Sequence, residues 1–148
     1  MKTRAQSPAK LLAPVSALLL GFWLIVTVVS IDHGWTAEFG DVGDPNDVSG
    51  EWVSRGTLFS PPLAPMIAQA LLTALALVQT RIWQLVAGAG LALLGALYLV
   101  GGLGEPLDPV ASDPGVVVYA LLRLAGLVGA AALVVAGIAT VIAARRAS

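Results

Sequence analysis

The sequence contains no cysteine and a single histidine, His33. Without cysteine there are no disulfides, no thiolate metal ligands and no cysteine nucleophile. A lone histidine cannot build a zinc site unaided, and no Ser-His-Asp spacing surrounds it, so hydrogen bonding at a helix end is its expected job. Charge is nearly as scarce. Only 11% of the 148 residues are Asp, Glu, Lys or Arg, against about 25% in typical soluble domains. So little charge cannot cover a soluble globule. No basic patch is interleaved with aromatics, so nothing supports nucleic acid as a partner.

Long apolar runs are what the chain has instead. It is 57% hydrophobic, with a mean hydropathy of +0.88. Four runs stand out, at about 11–31, 62–79, 82–101 and 115–144. A crossing of the hydrocarbon core takes about 20 residues. The charges between the runs are segregated. Every acidic residue lies in Asp32 to Glu51 or in Glu105 to Asp113, while Lys2, Arg4, Lys10, Arg81, Arg145 and Arg146 lie elsewhere. Basic segments stay in the cytoplasm, and segments poor in Lys and Arg cross. The expectation is an all-α integral membrane protein of one domain, 1–148, with four transmembrane helices in a bundle. Both termini are cytoplasmic, and the outer loops are 32–61 and 102–114. Arg outnumbers Lys in an Ala/Val/Gly-rich chain, a composition that suits a high-GC bacterium and hence its plasma (inner) membrane.

Local signals place the boundaries. The first run is longer than a signal-peptide core of about 7–15 residues, and Val28-Val29-Ser30 is a poor cleavage site, which favours an uncleaved anchor. Gln79-Thr80-Arg81 interrupts the second and third runs as a tight hairpin. Ser60 is a candidate N-cap, with Pro61-Pro62 and Pro65 in the first turn that follows. Asp113-Pro114 repeats that arrangement before the last run. Small residues recur every four positions at Ala13/Ala17/Gly21, Gly88/Ala92/Ala96, Ala125/Gly129 and Gly126/Ala130. Such stripes let helices approach closely, within a bundle or between copies.

The first outer loop holds Trp35, Phe39, Trp52 and Phe59. A disordered acidic linker would be poor in aromatics, so a partly ordered cap is expected. Trp35 with Phe39 is expected to form a helical turn, Glu51 to Leu58 a short strand, and Trp52 to pack near Tyr119. The acids of this loop fail the EF-hand spacing, because position 12 from Asp41 or Asp44 is Trp52 or Arg55. Solvated acid is the better reading, and no metal or cofactor is expected.

Arg123 is the one charge inside an apolar run, and an intramembrane ionisable residue is by default a functional candidate. About 21 residues separate it from Arg145, which at about 1.5 Å each spans the core of about 30 Å. That places Arg123 at the outer interface, as a snorkelling anchor beside Tyr119 or as a partner for Glu105, Asp32 or an anionic lipid headgroup. Arg123, Tyr119, Trp52 and Trp35 are the candidate contacts. Gln69, Thr73 and Gln84 read as interhelical glue. No Asp, Glu, Lys or His lies centrally in the first three runs, which counts against pumps and cation-coupled transporters. The expected function is a non-catalytic accessory or assembly subunit, partnered by the bilayer and by other integral membrane proteins or by itself. The alternative is a lipid-binding or lipid-translocating protein that uses the Arg123 region.

The absence of native cysteine makes the topology directly testable. Single cysteines at Thr3, Thr80 and Ser148 should resist an impermeant thiol reagent in intact cells, whereas cysteines at Ser49 and Ser112 should react. Labelling of the Thr80 site from outside would eliminate the four-span arrangement.

Overall fold

The structure is a computed structural model that describes residues 8–37, 43–78, 80–104 and 115–146. Its elements are α1 (Pro8–His33), α2 (Val48–Arg55), α3 (Leu63–Ala76), α4 (Arg81–Gly104) and α5 (Val116–Arg146). α1, α4 and α5 are long and apolar enough to cross a membrane, and α3 is a shorter apolar helix. Their outward faces are as apolar as their inward ones: Leu18 is 76% exposed and Val135 67%. Outward Leu and Val suit lipid, where backbone groups must be satisfied within the helix itself.

Packing follows a seven-residue rhythm. On α1 the buried positions include Leu12, Ser16, Leu19, Trp23, Val26 and Ser30. On α5 they include Gly126, Ala130, Leu133, Gly137, Thr140 and Ala144. On α4 they include Gly88, Leu91 and Gly95. These spacings alternate three and four, the seam of left-handed helix packing. Round the bundle, α3 packs against α1 and α4, α4 against α5, and α5 against α1; α3 and α5 do not meet.

The four-residue stripes are therefore corrected in part. Ala17, Ala96 and Ala125 face outward, and a Cβ on Gly21 would meet nothing within 4 Å. The close approach uses heptad-spaced glycines instead. A Cβ on Gly88 would lie 2.9 Å from the Gly137 carbonyl oxygen, and one on Gly95 would lie 2.8 Å from that of Ala130. α4 and α5 thus touch backbone to backbone. At their far end, Arg81 Nε donates to the Ala144 carbonyl at 3.1 Å, where a cation also complements the α5 macrodipole.

α3 has 14 residues, about 21 Å of helix at about 1.5 Å per residue, so it is shorter than the expected run of 62–79. It starts after Pro62, because a residue that precedes proline is pushed away from helical geometry, and Ser60 and Pro61 both do so. The expected Ser60 cap is not formed: the N-cap position is Pro62, with no side-chain cap bond. Proline fits there for another reason. The first four N–H groups of a helix lack partners, and at Pro62 and Pro65 two of them do not exist. The helix closes with Leu77 and Val78 N–H turned to the Ala74 and Leu75 carbonyls.

α5 begins at Val116, and the Gly115 carbonyl accepts its first bond, from Tyr119 N–H at 3.0 Å. Gly115 has φ 80°, a conformation that glycine adopts without strain. The expected cap Asp113 and first-turn Pro114 lie outside the described residues, as do Phe39 and Glu105. The expected strand from Glu51 to Leu58 is instead the helix α2, as far as Arg55. Val48 and Trp52 sit one turn apart and turn inward, and Glu51 pairs with Arg55 at 3.6 Å in the (i, i+4) order that helices favour. Only Thr57 keeps strand character, in one antiparallel bridge to Thr36.

Gly137→Leu should lower the thermal unfolding temperature in detergent, at a cost of about 1–3 kcal/mol from overpacking. Gly21→Leu, facing open space, should stay within about 0.5 kcal/mol of wild type. Equal losses in the two variants would contradict the backbone contact between α4 and α5.

Candidate functional site

One end of the bundle is built from the end of α1. Gly34, at φ 71°, terminates the helix in a Schellman motif: Trp35 N–H reaches the Ser30 carbonyl at 2.8 Å and Gly34 N–H that of Ile31 at 3.4 Å. His33 Nδ1 donates to the Val29 carbonyl at 2.9 Å, the helix-end role expected of it. The sharp exit throws Trp35 inward rather than into the expected helical turn. Its ring stands edge-on to Phe59 at 5.5 Å between centroids, and Phe59 in turn meets Tyr119 of α5, also at 5.5 Å. This file of rings ties the cap to the bundle. Trp52, expected beside Tyr119, anchors the cap differently: its Nε1–H donates to the Pro61 carbonyl at 3.2 Å. Phe59 takes the place beside Tyr119 because the tight loop 57–60 is pinned from below. There Thr57 N–H donates to the Ser60 carbonyl at 3.0 Å, and Ser60 Oγ lies 2.8 Å from Thr27 Oγ1 of α1.

Beneath this cap lies a chamber of about 500 Å³. Its roof is the segment 54–62, and its walls come from Pro65 of α3, Leu94, Leu97, Tyr98, Gly101 and Gly102 of α4, and Tyr119, Leu122, Arg123, Gly126 and Leu127 of α5. Trp23 of α1 completes it. The chamber arises where the small-residue seam of α4 and α5 ends. At Gly102 an added Cβ would meet a Leu127 side chain rather than backbone, and at Gly101 it would meet nothing within 4 Å. Leu97 lines the chamber yet is 55% exposed, so the space opens sideways on the outward face of α4.

Polar groups stand at defined places in this mostly apolar wall. Arg123 Nη1 donates to Tyr119 Oη at 2.8 Å, and its guanidinium carbon lies 5.6 Å from the ring centroid. Arg55 lines the roof. Deeper down, the Tyr98 hydroxyl reaches Gln69 Oε1 at 3.1 Å and the Pro65 carbonyl at 3.2 Å. Gln69, fully buried, donates to the Ser16 carbonyl at 3.0 Å. Ser16 Oγ lies 2.6 Å from Thr73 Oγ1, and Thr73 donates back to the Gln69 carbonyl at 2.6 Å. The expected Gln69–Thr73 glue is thus a closed network across α1, α3 and α4. Such bonds in lipid are worth on the order of 1 kcal/mol each.

Of the residues singled out from sequence, Arg123 and Tyr119 come together and line the chamber. Trp35 and Trp52 stand behind its roof and hold Phe59 and Pro61. In the first turn of α5, Val116 and Val117 are 79% and 71% exposed, whereas Tyr119 is buried. Trp23, Arg55, Phe59 and Tyr98 were missed as site residues. Arg55 carried a signal, since it is the one Lys or Arg within either expected outer loop. Tyr98 and Trp23 carried none that separates them from lipid-facing aromatics. Compared with known proteins, the chain matches no family model, no curated protein and no solved structure.

Phe59→Ala should cost about 3–5 kcal/mol and release the cap, read as lower thermal stability and faster proteolysis within 43–62. Trp52→Phe keeps a ring and loses only the bond to Pro61, so about 1 kcal/mol is expected. Unchanged cap proteolysis in Phe59→Ala would show that the ring file does not hold the cap.

Proposed function

We propose that this chain is a non-catalytic, four-pass protein of a bacterial plasma membrane, with both termini in the cytoplasm, that binds a membrane amphiphile in the chamber under its outer cap. The chamber is the observation that carries this reading. Its volume of about 500 Å³ lies in the range of about 300–1,000 Å³ typical of small-molecule sites. Apolar walls and the sideways opening at Leu97 suit a chain that arrives from the lipid rather than from water. A chain seated between Trp23, Leu94 and Leu127 would gain dispersion contacts along its length. The roof and the Tyr119–Arg123 pair would meet its polar end. In this reading α3, with Pro61-Pro62 before it and Leu77-Val78 after it, completes the second crossing.

A second reading keeps the accessory or assembly subunit. One observation favours it: Ala17 is exposed and a Cβ on Gly21 would meet nothing within 4 Å, so the described residues leave a small-residue face open on α1, a surface on which another helix packs well. Both readings meet one experiment. Native mass spectrometry of gently solubilised protein should find about one amphiphile retained per chain. Gly101→Phe, which directs a ring into the chamber, should abolish that retention while leaving the unfolding temperature within a few degrees of wild type. Equal retention by both proteins would refute the chamber as the site. A stoichiometric protein partner with no retained amphiphile would favour the subunit.

A further inference from the structure

We propose that the end of the bundle away from the cap is a docking surface for anionic phospholipids, with Lys10, Arg81 and Arg146 drawing their headgroups into a ring around the helix ends. This surface lies apart from the chamber and does not depend on it.

The helices bring these cations to one end of the molecule. α1 and α5 run antiparallel, since a Cβ on Gly126 would meet Trp23 and one on Gly129 would meet Leu19. The start of α1, with Lys10, therefore lies toward the end of α5, with Arg146. Arg81, the first residue of α4, is fixed to the same end by its bond to the Ala144 carbonyl. All three side chains are exposed. Each has an outward apolar neighbour on its own helix: Leu11 beside Lys10, Ile82 beside Arg81, and Ile142 one turn before Arg146, all exposed. Contacts for a tail and for a headgroup are thus offered together, which suits a lipid rather than an acidic peptide. Trp83, also exposed, is of the residue type enriched at the headgroup level.

No acidic side chain balances this end. Every Asp and Glu lies in 32–51 or 105–113, segments that join helix ends on the cap side. α4 has 24 residues, so it separates the two ends by about 36 Å, against a Debye length of about 8 Å in physiological salt. The carbonyl that Arg81 meets carries no net charge. Lys10 lies in the first turn of α1, where a cation opposes the macrodipole, so the stability of its helix does not call for it. An anionic leaflet does, because such a surface attracts Lys and Arg that lie beside it. Their stems stay against apolar surface while their heads reach the phosphates.

The full chain is placed in nanodiscs of equal parts phosphatidylcholine and phosphatidylglycerol with the same tails, and the lipids it retains are counted by native mass spectrometry. A nanodisc has no cytoplasmic side, so any part these cations play in setting topology is silent there. Retention should favour phosphatidylglycerol about fivefold, the worth of one cation near an anionic surface, and should fall in high salt. The double variant Lys10→Gln, Arg146→Gln should bring the ratio most of the way to parity. Both side chains are exposed at helix ends, so the fold tolerates the change. Lys10→Arg with Arg146→Lys should keep the preference, because a surface field responds to charge. Gly101→Phe, at the chamber, should also keep it. Equal retention of the two lipids by the wild type, or a preference that survives in the double Gln variant, would overturn the ring. A preference lost in Gly101→Phe would place the anionic lipid in the chamber and overturn the ring equally. No preference, with an acidic protein retained from native membranes by the wild type and lost by the double Gln variant, would assign this surface to a protein instead.

Discussion

The contact on which the rest of the structure depends is the one where α4 and α5 meet backbone to backbone. Gly88 and Gly95 oppose Gly137 and Ala130 closely enough that a Cβ on either α4 glycine would strike a carbonyl oxygen. In lipid no hydrophobic effect drives two helices together, so packing at this range is a main source of cohesion. The register that sets these pairs also determines where they stop. One heptad further out, at Gly102, an added Cβ would meet the Leu127 side chain and no α5 backbone. The chamber opens there. A single periodicity therefore produces both the tight half of the bundle and its site.

The cap closes that site by a different chemistry. Its core is aromatic, with Trp35, Phe59 and Tyr119 in file. The turns that deliver those rings depend on backbone geometry, through Gly34 after α1 and the Thr57–Ser60 loop before α3. Edge-to-face ring pairs are worth about 0.5–1.5 kcal/mol beyond their buried area. They also fix position, so the roof sits at one height above Tyr98 and Arg123. The buried polar network at Gln69 holds α3 against α1 and α4, and its outermost member, Tyr98, forms part of the chamber wall. The polar centre of the bundle and the floor of the site share that residue.

Much of this was written in the chain. The all-helical architecture with long apolar helices, the break near Thr80, the inward Gln69 and Thr73 and the pairing of Arg123 with Tyr119 all follow from local spacing. Lipid forces backbone bonds to close within a segment, so hydropathy and length decide an element without knowledge of its neighbours. Residues four apart on one helix must also meet. The helical nature of α2 was readable in the Val48/Trp52 and Glu51/Arg55 spacings, yet a run of mixed residues in a loop suits strand and helix alike until one face has something to bury.

The tertiary structure alone decided which small residues became contacts and which rings became roof. Each long helix carries more Ala and Gly than its seam uses, and lipid accepts the surplus, so composition cannot distinguish Gly88, where a Cβ would strike the Gly137 carbonyl, from Gly21, where a Cβ would meet nothing within 4 Å. The same ambiguity hid Phe59, Tyr98 and Trp23, because an aromatic in an apolar segment is equally stable against lipid or against another helix. Their convergence on one chamber with Arg55 and Arg123 depends on how α2 packs on α1 and α3 and how the loop before α3 sets Phe59 against Tyr119 of α5. That is a matter of long-range packing, to which no local pattern along the chain corresponds.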